Sequence, residues 1–316
     1  MAGIGVVTNP RSRQNRRNPR LARQLTYILG EKGEIQQPSD LDALDSAAIR
    51  FRDHGIDVLC INGGDGTMSR ALTAMVKAYG DKPLPKIAIL RGGTMNTVAH
   101  GLKIRGTPAE ILDYVVQRYH ADAPMPTVRR SLLEINGTDY GFLFGNGVIS
   151  QFLEPYYEGG NATPLKAVIL MVRGIFSSIF GGSFAKRITQ PFVGEVTLDG
   201  HPWPSNRWML LAAGTVDDIG FGFRPFWQAT LHPGTMHVIG TFGESPMAIV
   251  KELWRIFRAQ PIEGHEWHDD LGRELVLRSD RPITYMVDGD FHRGGTELRL
   301  KVGPPVDFII PERSPW

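Results

Sequence analysis

The feature that most constrains this chain is the alternation in its first 120 residues, where short β-branched runs alternate with amphipathic helical segments. Three of the predicted strands run directly into loops rich in glycine or asparagine, at residues 9–10, 63–67 and 92–96. Repeated βα units of this length predict a parallel sheet with helices on both faces. Because ligands of such sheets bind beyond the carboxyl ends of the strands, we expect the three loops to line one crevice.

Local signals mark the individual elements of this region. Strands are predicted at residues 4–8, 57–62 and 86–90, and helices at 19–29, 40–54 and 107–119. Further helices are predicted directly after the second and third loops. The segment from Thr107 to Glu110 has the pattern of a capping box with proline at the first helical position.

The pattern changes after residues 121–127, a segment with two prolines among small residues that predicts a linker. Short apolar runs then recur with turns between them, and Asn136-Gly137 and Asp199-Gly200 are typical of two-residue hairpin loops. This predicts an antiparallel β domain, interrupted by helical stretches near residues 164–180 and 245–259. A length of 316 residues also favours two domains, which we assign to residues 1–126 and 127–316.

Composition excludes several classes of protein. The 35 Lys and Arg residues against 33 Asp and Glu residues give a net charge of +2, so the whole molecule is not an electrostatic binder of nucleic acid. The single cysteine, Cys60, excludes an intramolecular disulfide. The chain start lacks a secretory signal pattern, and residues 165–180 are too interrupted to span a membrane. We therefore expect a cytoplasmic protein that can lie on the inner membrane face.

Glycine loops at helix N-termini favour phosphate binding, because backbone N–H groups can approach phosphate oxygens and the helix adds partial positive charge. Strand-to-helix turns also use glycine for purely structural reasons, but three such loops in register favour a nucleotide site. Neither the P-loop nor the dinucleotide-binding pattern occurs. Asp65 in the central loop would repel phosphates unless a divalent cation bridges them, which indicates Mg²⁺-nucleotide chemistry. A turn-forming aspartate is the alternative.

The chain contains four blocks, Asn9-Pro10-Arg11-Ser12, Gly63-Gly64-Asp65-Gly66-Thr67, Gly93-Thr94-Met95-Asn96 and Asp288-Gly289-Asp290. These blocks resemble those of the diacylglycerol kinase catalytic domain family, which includes bacterial lipid kinases and sphingosine kinases. The central block has similar counterparts in NAD kinases and phosphofructokinases, whereas the order and spacing of all four are specific. The resemblance implies a Rossmann-like parallel α/β domain followed by an antiparallel β-sandwich, with the active site in the interdomain cleft. It also implies ATP-dependent phosphorylation of a lipid hydroxyl.

The same resemblance implies roles for individual residues. Asp288, Asp290 and Asp65 are expected to be catalytic, with the general base in the turn at residues 288–290. A carboxylate there can accept the proton of the substrate hydroxyl, although an ordinary hairpin turn has the same Asp-Gly sequence. The implied ATP-binding residues are Asn9, Pro10, Arg11, Ser12, Arg13, Gly63, Gly64, Asp65, Gly66, Thr67, Gly93, Thr94 and Asn96.

The chain departs from the family pattern at several positions. Arg13 stands where the family usually has Gly, Thr97 where it has Asp, and Asp290 where it has Glu. His232-Pro233 aligns with an acidic pair that binds a structural Mg²⁺ in many bacterial lipid kinases. We therefore expect that this metal site is lost and that Mg²⁺ enters only with ATP.

Three further clusters each have a functional and a structural interpretation. An arginine-rich segment after the first strand predicts a phosphate clamp, a patch for anionic lipid headgroups or a solvated face. An aromatic set predicts a lipid-accepting groove or ordinary core. Residues 265–270 predict a metal cluster or a surface turn. The arginines are Arg11, Arg13, Arg16, Arg17, Arg20 and Arg23. The aromatic set, which includes one isoleucine, is Phe142, Phe144, Phe152, Tyr156, Tyr157, Phe176, Ile179 and Phe180.

Together these observations predict a lipid kinase that uses ATP and Mg²⁺, acts on a diacylglycerol-like or related lipid and contacts the membrane surface peripherally. Nucleic acid is not an expected partner. The sequence does not specify the oligomeric state, and a homodimer is compatible with it. One alternative is an NAD kinase-like small-molecule kinase, which the absence of a Gly-Ser-Thr-Ala-Tyr-like second motif disfavours. The other is a non-catalytic nucleotide-binding regulator.

Overall fold

The computed structural model describes residues 3–93, 96–150, 191–220, 222–243 and 245–312. The chain forms two compact units, one of Met1–Arg130 with Pro304–Trp316 and one of Ser131–Gly303. This division differs from the predicted one, which placed the C-terminal segment in the second domain. The reason is a strand pairing, because Phe308 lies beside Ile87 in the parallel sheet of the first unit.

The first unit is a parallel α/β fold. Its strands are β1 (Ile4–Thr8), β2 (Gly33–Gln36), β3 (Val58–Asn62) and β4 (Lys86–Ile89), which pair in the order β2-β1-β3-β4. Its helices are α1 (Arg13–Arg17), α2 (Leu21–Leu29), α3 (Leu41–His54), α4 (Asp65–Tyr79), α5 (Thr97–Gly101) and α6 (Pro108–His120), with a 3₁₀ turn at Gly30–Lys32. The predicted Rossmann-like arrangement is confirmed.

Local signals account for most of these elements. Helix α3 begins after Asp40, whose carboxylate accepts the N–H of Ala43 (2.9 Å). Helix α6 begins with the predicted capping box, in which Thr107 and Glu110 exchange side-chain to backbone hydrogen bonds. Strands β1 and β3 are buried along their whole length, as expected of central parallel strands. Strand β2 is not predicted by the sequence pattern, because its four half-buried residues form no apolar run.

The second unit consists mainly of antiparallel strands. Its helix α7 (Met247–Phe257) confirms the helix predicted near residues 245–259. The strands are β5 (Thr127–Ile135), β6 (Asp139–Gly141), β7 (Leu143–Gly147), β8 (Phe192–Val193), β9 (Glu195–Leu198), β10 (His201–Pro202), β11 (Arg207–Trp208), β12 (Leu210–Gly214), β13 (Met236–Thr241), β14 (Trp267–Gly272), β15 (Glu274–Arg278), β16 (Thr284–Val287), β17 (Asp290–Arg293) and β18 (Glu297–Ile309), of which β5 and β18 extend into the first unit. One sheet has the order β14-β13-β12-β7-β16-β17, and a second set pairs in the order β10-β9-β15-β18.

Both sets of strands contribute to one buried core in the second unit. Phe144, Leu211 and Val238 come from the six-stranded sheet, and Val196 and Leu275 come from the other set. Each of these side chains is almost fully buried, and burial of one side chain of this kind contributes about 1.5–3 kcal/mol. Two antiparallel layers that share a core form a sandwich, which confirms the expected fold class.

Three hairpin loops have the same backbone conformation at their first two residues. Asn136-Gly137, Asp199-Gly200 and Asp288-Gly289 all have positive φ at both positions, between 48° and 92°. Asn, Asp and Gly adopt this type I′ geometry most readily, and its twist matches that of the flanking strands. The hairpins predicted at the first two positions are confirmed.

No helix in the described part of the chain is long and apolar enough to cross a membrane. The helical stretch predicted at residues 164–180 lies outside the described residues.

The polar segment at residues 265–270 is not a surface turn along its whole length, because residues 267–272 form β14. Trp267 is buried and donates a hydrogen bond to a backbone carbonyl of α7. The ring of His268 stacks on Trp203 (4.8 Å between centroids) and also contacts Trp208 and Phe242. The surface-turn prediction is therefore wrong for β14, where aromatic burial outweighs the polar sequence.

The environment of His268 makes stability depend on pH. Burial lowers the pKa of His268 below its ordinary value of 6.5. As the pH falls, His268 of the unfolded chain is protonated at a higher pH than His268 of the folded chain. Protonation therefore favours the unfolded state, and the free energy of unfolding should fall as the pH drops from about 7 to about 5. We expect His268→Phe, which keeps an aromatic ring against Trp203, to weaken this dependence, with a difference of a few degrees in melting temperature. Thermal unfolding across this range measures the effect, and parallel pH profiles would contradict the prediction.

Candidate active site

Three loops at the carboxyl ends of β1, β3 and β4 lie together in the first unit. Asn9, directly after β1, donates its side-chain amide to the hydroxyl of Thr67 (2.8 Å) and its backbone N–H to the carbonyl of Asn62 (2.9 Å). The N–H of Gln14 donates to the carbonyl of Gly92 (3.3 Å), which links the segment after β1 to the third loop. One edge of the parallel sheet therefore brings together the described residues of all three predicted loops.

The second and third loops touch through their glycine backbones. A Cβ atom at Gly93 would lie 2.3 Å from the Cα of Gly64. A backbone atom cannot yield to such an approach, so a side chain at residue 93 would force the loops apart. Thr94 and Met95, which complete the motif of the third loop, lie outside the described residues. Gly93 therefore has a structural function in addition to any role toward a ligand.

Asp65 connects the second loop to the end of the third. It is the first residue of α4, and its carboxylate accepts the backbone N–H (2.7 Å) and the hydroxyl (3.4 Å) of Thr97. Burial raises the pKa of Asp65, and the hydrogen bonds from Thr97 and from the N–H of Val98 oppose this rise. Because Thr97 stands where the family usually has Asp, the carboxylate of Asp65 faces a neutral partner here.

Asn96 fixes the shape of the third loop. It is buried, precedes α5 and has a left-handed backbone with φ 49°. Its side-chain oxygen accepts the N–H of Gly93 (3.1 Å), and its amide group donates to the carbonyl of the same residue (3.2 Å). Asn tolerates left-handed backbone better than most residues. The described contacts of Asn96 therefore hold the loop from within.

Two buried asparagines that the sequence analysis does not single out join the first two loops. The amide of Asn15 donates to the carbonyl of Asn9 (2.6 Å), and the amide of Asn62 donates to the side-chain oxygen of Asn15 (3.1 Å). Asn62 is the polar end of an otherwise apolar buried strand, and this contrast is the signal that could have identified it. Asn15 lies among arginines, where the sequence contains no such contrast.

The arginine-rich segment carries unpaired positive charge. Pro10 and Arg11 are exposed, and Arg13 is half-buried at the start of α1. The hydroxyl of Ser12 is buried and has no hydrogen-bond partner among the described residues. No carboxylate of the residues that the structure describes forms an ion pair with the six arginines at positions 11, 13, 16, 17, 20 and 23. The segment is therefore suited to an anionic ligand or surface.

Helix α4 offers further donors for an anion. Its N-cap residue, Gly64, has no side chain that could accept the first N–H groups of the helix. The N–H groups of Gly66 and Thr67 lie in this first turn, where the intrahelical pattern provides no acceptor. A 15-residue helix also places partial positive charge at this end. Phosphate oxygens commonly bind such groups.

In the second unit, Asp288 is the first residue of the β16–β17 hairpin loop. Its carboxylate accepts the N–H groups of Phe142 (3.1 Å to each oxygen) and Leu143 (2.9 Å). These contacts fix the point at which β7 begins. Asp290 is the first residue of β17 and pairs with Val287 across the hairpin. Both aspartates are half-buried.

A second hairpin reproduces the contacts of Asp288. The carboxylate of Asp199 accepts the N–H groups of Arg273 (2.9 Å) and Glu274 (2.8 Å), at the point where β15 begins. In the third hairpin, the side-chain oxygen of Asn136 accepts the N–H of Arg299 (2.8 Å). The backbone contacts of Asp288 are therefore those of a hairpin aspartate, and any chemical role of this residue is additional to them.

The described residues include no group of three or more His, Cys, Asp or Glu side chains that could hold a metal ion. At the position of the family's acidic pair, the carbonyl of His232 accepts the N–H (3.2 Å) and the hydroxyl (2.7 Å) of Thr235. Pro233 and Gly234 complete this exposed turn, with φ 82° at the glycine. Backbone and hydroxyl contacts thus close the turn, and the loss of the structural metal site stays a prediction.

The predicted aromatic set is described only in part. Phe142 and Phe144 are buried, and Phe144 belongs to the core of the sandwich. For these two residues the core interpretation is confirmed. The other six members, at positions 152, 156, 157, 176, 179 and 180, lie outside the described residues.

Comparison with known families agrees with this geometry. Residues 3–126 match the family model of the diacylglycerol kinase catalytic domain. This match confirms, for residues 3–126, the resemblance inferred from the sequence motifs. No curated protein matches the chain.

Solved structures with a similar fold include two from Bacillus anthracis str. Sterne, each described as a diacylglycerol kinase, one of them provisionally. The first shares 14% sequence identity at a TM-score of 0.73, covering 98% of this chain and 97% of that chain. The second has the same identity and coverage at a TM-score of 0.65. At this identity the likeness establishes the fold over nearly the whole chain.

Proposed function

We propose that this protein is an ATP-dependent lipid kinase that transfers the γ-phosphoryl group of ATP to the hydroxyl of a diacylglycerol-like or related lipid. One observation supports the proposal above the others. Three loops of the family pattern converge at one edge of a parallel sheet, within the residues that match a diacylglycerol kinase catalytic domain.

In this proposal the first unit binds the nucleotide. The N–H groups of Gly66 and Thr67 bind phosphate oxygens at the N-terminus of α4. Arg11 and Arg13 neutralise phosphate charge, since neither has a carboxylate partner in the described part of the chain. The buried hydroxyl of Ser12, which lacks a partner among the described residues, gains one in the complex.

Mg²⁺ is proposed to arrive bound to ATP. When bound, such an ion neutralises charge on the transferred group. Asp65 is the acidic residue in the described part of the three loops, and its negative charge would attract a cation bound near the phosphates. Its contacts with Thr97 hold the carboxylate in place, so Asp65 needs no further ordering when Mg-ATP binds.

The second unit is proposed to supply the general base. Asp288 accepts the proton of the lipid hydroxyl as that oxygen attacks the γ-phosphorus. Its hydrogen bonds to the backbone of Phe142 and Leu143 fix the position of the carboxylate. Asp290, two residues further along the hairpin, has a supporting role in place of the glutamate of the family.

Transfer of radiolabelled γ-phosphate from Mg-ATP to a total lipid extract tests the proposal. We expect label in the lipid fraction and none in water-soluble acceptors that lack an acyl chain. Label only in small soluble alcohols would instead identify a small-molecule kinase. Nucleotide binding without transfer to any acceptor would overturn the proposal and identify a regulator.

The regulator is the alternative that a specific observation favours. The carboxylates of Asp65 and Asp288 both have structural partners, Thr97 in one case and backbone N–H groups in the other. Residues with such partners can persist in a protein that binds nucleotide without turnover.

We expect Mg²⁺ to stabilise the protein only in the presence of ATP. The turn at His232 and Pro233 contains no carboxylate pair, so nucleotide-free protein should show no Mg²⁺-dependent rise in melting temperature. Addition of ATP with Mg²⁺ should raise it by a few degrees. A clear rise with Mg²⁺ alone would contradict the prediction and reveal a resident metal site.

A further inference from the structure

Exposed apolar side chains of α7 lie beside the segment that follows β12 in the second unit. Trp254 is 60% exposed, Phe257 48% and Ile219 39%. The rings of Trp254 and Phe257 stack with centroids 6.4 Å apart, and Phe257 meets the ring of Phe223 edge-on at 5.8 Å. The N–H of Ile219 donates to the carbonyl of Phe223 (3.0 Å). We call the surface formed by Ile219, Phe223, Trp254 and Phe257 the α7 patch.

Two cations flank the α7 patch. Lys251 precedes Trp254 by three residues and Arg258 follows it by four, which places all three on one face of the helix. The guanidinium of Arg258 lies over the indole ring of Trp254, 4.3 Å from its centroid. Neither Lys251 nor Arg258 has a carboxylate partner among the described residues, whereas Arg255 pairs with Glu263 (2.6 Å).

This combination is the one that proteins present to a membrane interface. Exposed aromatic rings in a contiguous patch mark interaction surfaces more often than chance. Tryptophan prefers the headgroup level of a bilayer, and nearby Lys or Arg side chains pair with anionic headgroups. The two cations at the edge of the α7 patch favour an anionic lipid surface as the occupant, because their charge is complementary to that of the headgroups.

The α7 patch also has a link to the proposed general base within the same unit. Asp288 accepts the N–H of Phe142, and the carbonyl of Phe142 accepts the N–H of Thr215 (3.0 Å). Thr215 directly follows β12 and begins the segment that contains Ile219. The segment that forms part of the patch therefore starts next to the residue that holds Asp288.

We propose that the α7 patch docks this protein on an anionic lipid surface. Trp254 and Phe257 enter the headgroup region, and Lys251 and Arg258 pair with lipid phosphates. The inference rests on the proposed function, because the lipid acceptor of that function lies in a lipid surface.

Co-sedimentation of the full chain with vesicles tests the docking. The vesicles are phosphatidylcholine alone or mixed with phosphatidylglycerol. We expect the wild type to prefer the anionic vesicles, and the double variants Trp254→Ala with Phe257→Ala and Lys251→Glu with Arg258→Glu to bind them at least about tenfold more weakly. Leu41→Ala, which removes an exposed side chain of α3 in the first unit, is the matched control and should bind like the wild type.

Melting temperatures close to that of the wild type would show that the variants fold. Equal binding of the wild type and both double variants would overturn the proposal, as would a wild type that does not bind anionic vesicles. A wild-type dimer that dissociates on loss of Trp254 and Phe257 would identify a second copy of the chain as the occupant and would also overturn it.

Turnover separates this inference from the proposed function. With a short-chain lipid acceptor dispersed in water, both double variants should keep the wild-type kcat, because none of the substituted residues is a proposed catalytic residue. Vesicle binding through the patch without any lipid phosphorylation would leave the docking standing and remove the proposed function. Phosphorylation of vesicle lipid at equal rates by the wild type and both double variants would support the proposed function and overturn the docking through the α7 patch.

Discussion

Asp288→Asn should lower kcat by about a hundredfold or more, and should change the affinity for ATP by less than about threefold. The variant keeps the size of the side chain and a hydrogen-bonding group, but it loses the carboxylate that is proposed to accept the hydroxyl proton. Nucleotide contacts are assigned to the first unit and are not altered. Steady-state kinetics with a lipid acceptor and a binding titration with ATP measure the two quantities.

Asp199→Asn is the matched control for the structural part of this effect. Asp199 occupies the same turn position and also accepts two consecutive backbone N–H groups. Asn136 shows that this turn accepts asparagine. We expect both variants to lose about 1–2 kcal/mol of unfolding free energy, because each exchanges a charged acceptor for a neutral one. Only Asp288→Asn should lose turnover.

Two outcomes would show that Asp288 is only a turn residue. One is wild-type kcat in Asp288→Asn, and the other is a parallel loss of ATP affinity and turnover. Either outcome would strengthen the regulator alternative. Asp290→Asn should reduce kcat less than Asp288→Asn, and the reverse order would exchange the roles of the two aspartates.

Asp65→Asn should leave the fold intact and lower turnover by about two orders of magnitude or more at saturating Mg²⁺. The amide oxygen of Asn can accept the N–H of Thr97, and its amide nitrogen can donate to the hydroxyl of the same residue. The contact between the loops therefore survives while the negative charge is lost. The kcat with Mg-ATP and the melting temperature test the two parts of this prediction.

Two variants control for charge and for positioning. Asp42→Asn removes an acidic residue from the first turn of α3 and should not change turnover. Thr97→Val removes the hydroxyl contact but keeps the N–H contact with Asp65, so its effect on kcat should be smaller than that of Asp65→Asn. Wild-type turnover of Asp65→Asn at saturating Mg²⁺ would exclude the assigned role.

The sequence predicts the elements whose local signals agree with their tertiary contacts. Strands β1 and β3 are apolar throughout because they are buried, and the glycine loops follow them directly. The hairpins at Asn136 and Asp199 are predictable because their left-handed backbone favours Asn, Asp and Gly wherever it occurs.

The remaining features depend on contacts that lie far apart along the chain. Strand β2 exists because it pairs with β1, although its own residues are polar or half-buried. The polar strand β14 forms because Trp267 and His268 pack among aromatic side chains. Asp65 is 32 residues from Thr97, and Asp288 is 146 residues from Phe142. No periodicity or spacing in the sequence indicates these long-range contacts.

The 13-residue strand β18 sets the order in which the chain can fold during synthesis. Near its beginning it pairs with β15, and near its end Phe308 pairs with β4. Domains generally fold in order as they leave the ribosome. Here residues 3–126, which match the catalytic domain family, emerge long before the strand that completes their sheet. The sheet of the first unit is therefore complete only when Phe308 has left the exit tunnel, whereas the six-stranded sheet of the second unit does not depend on β18.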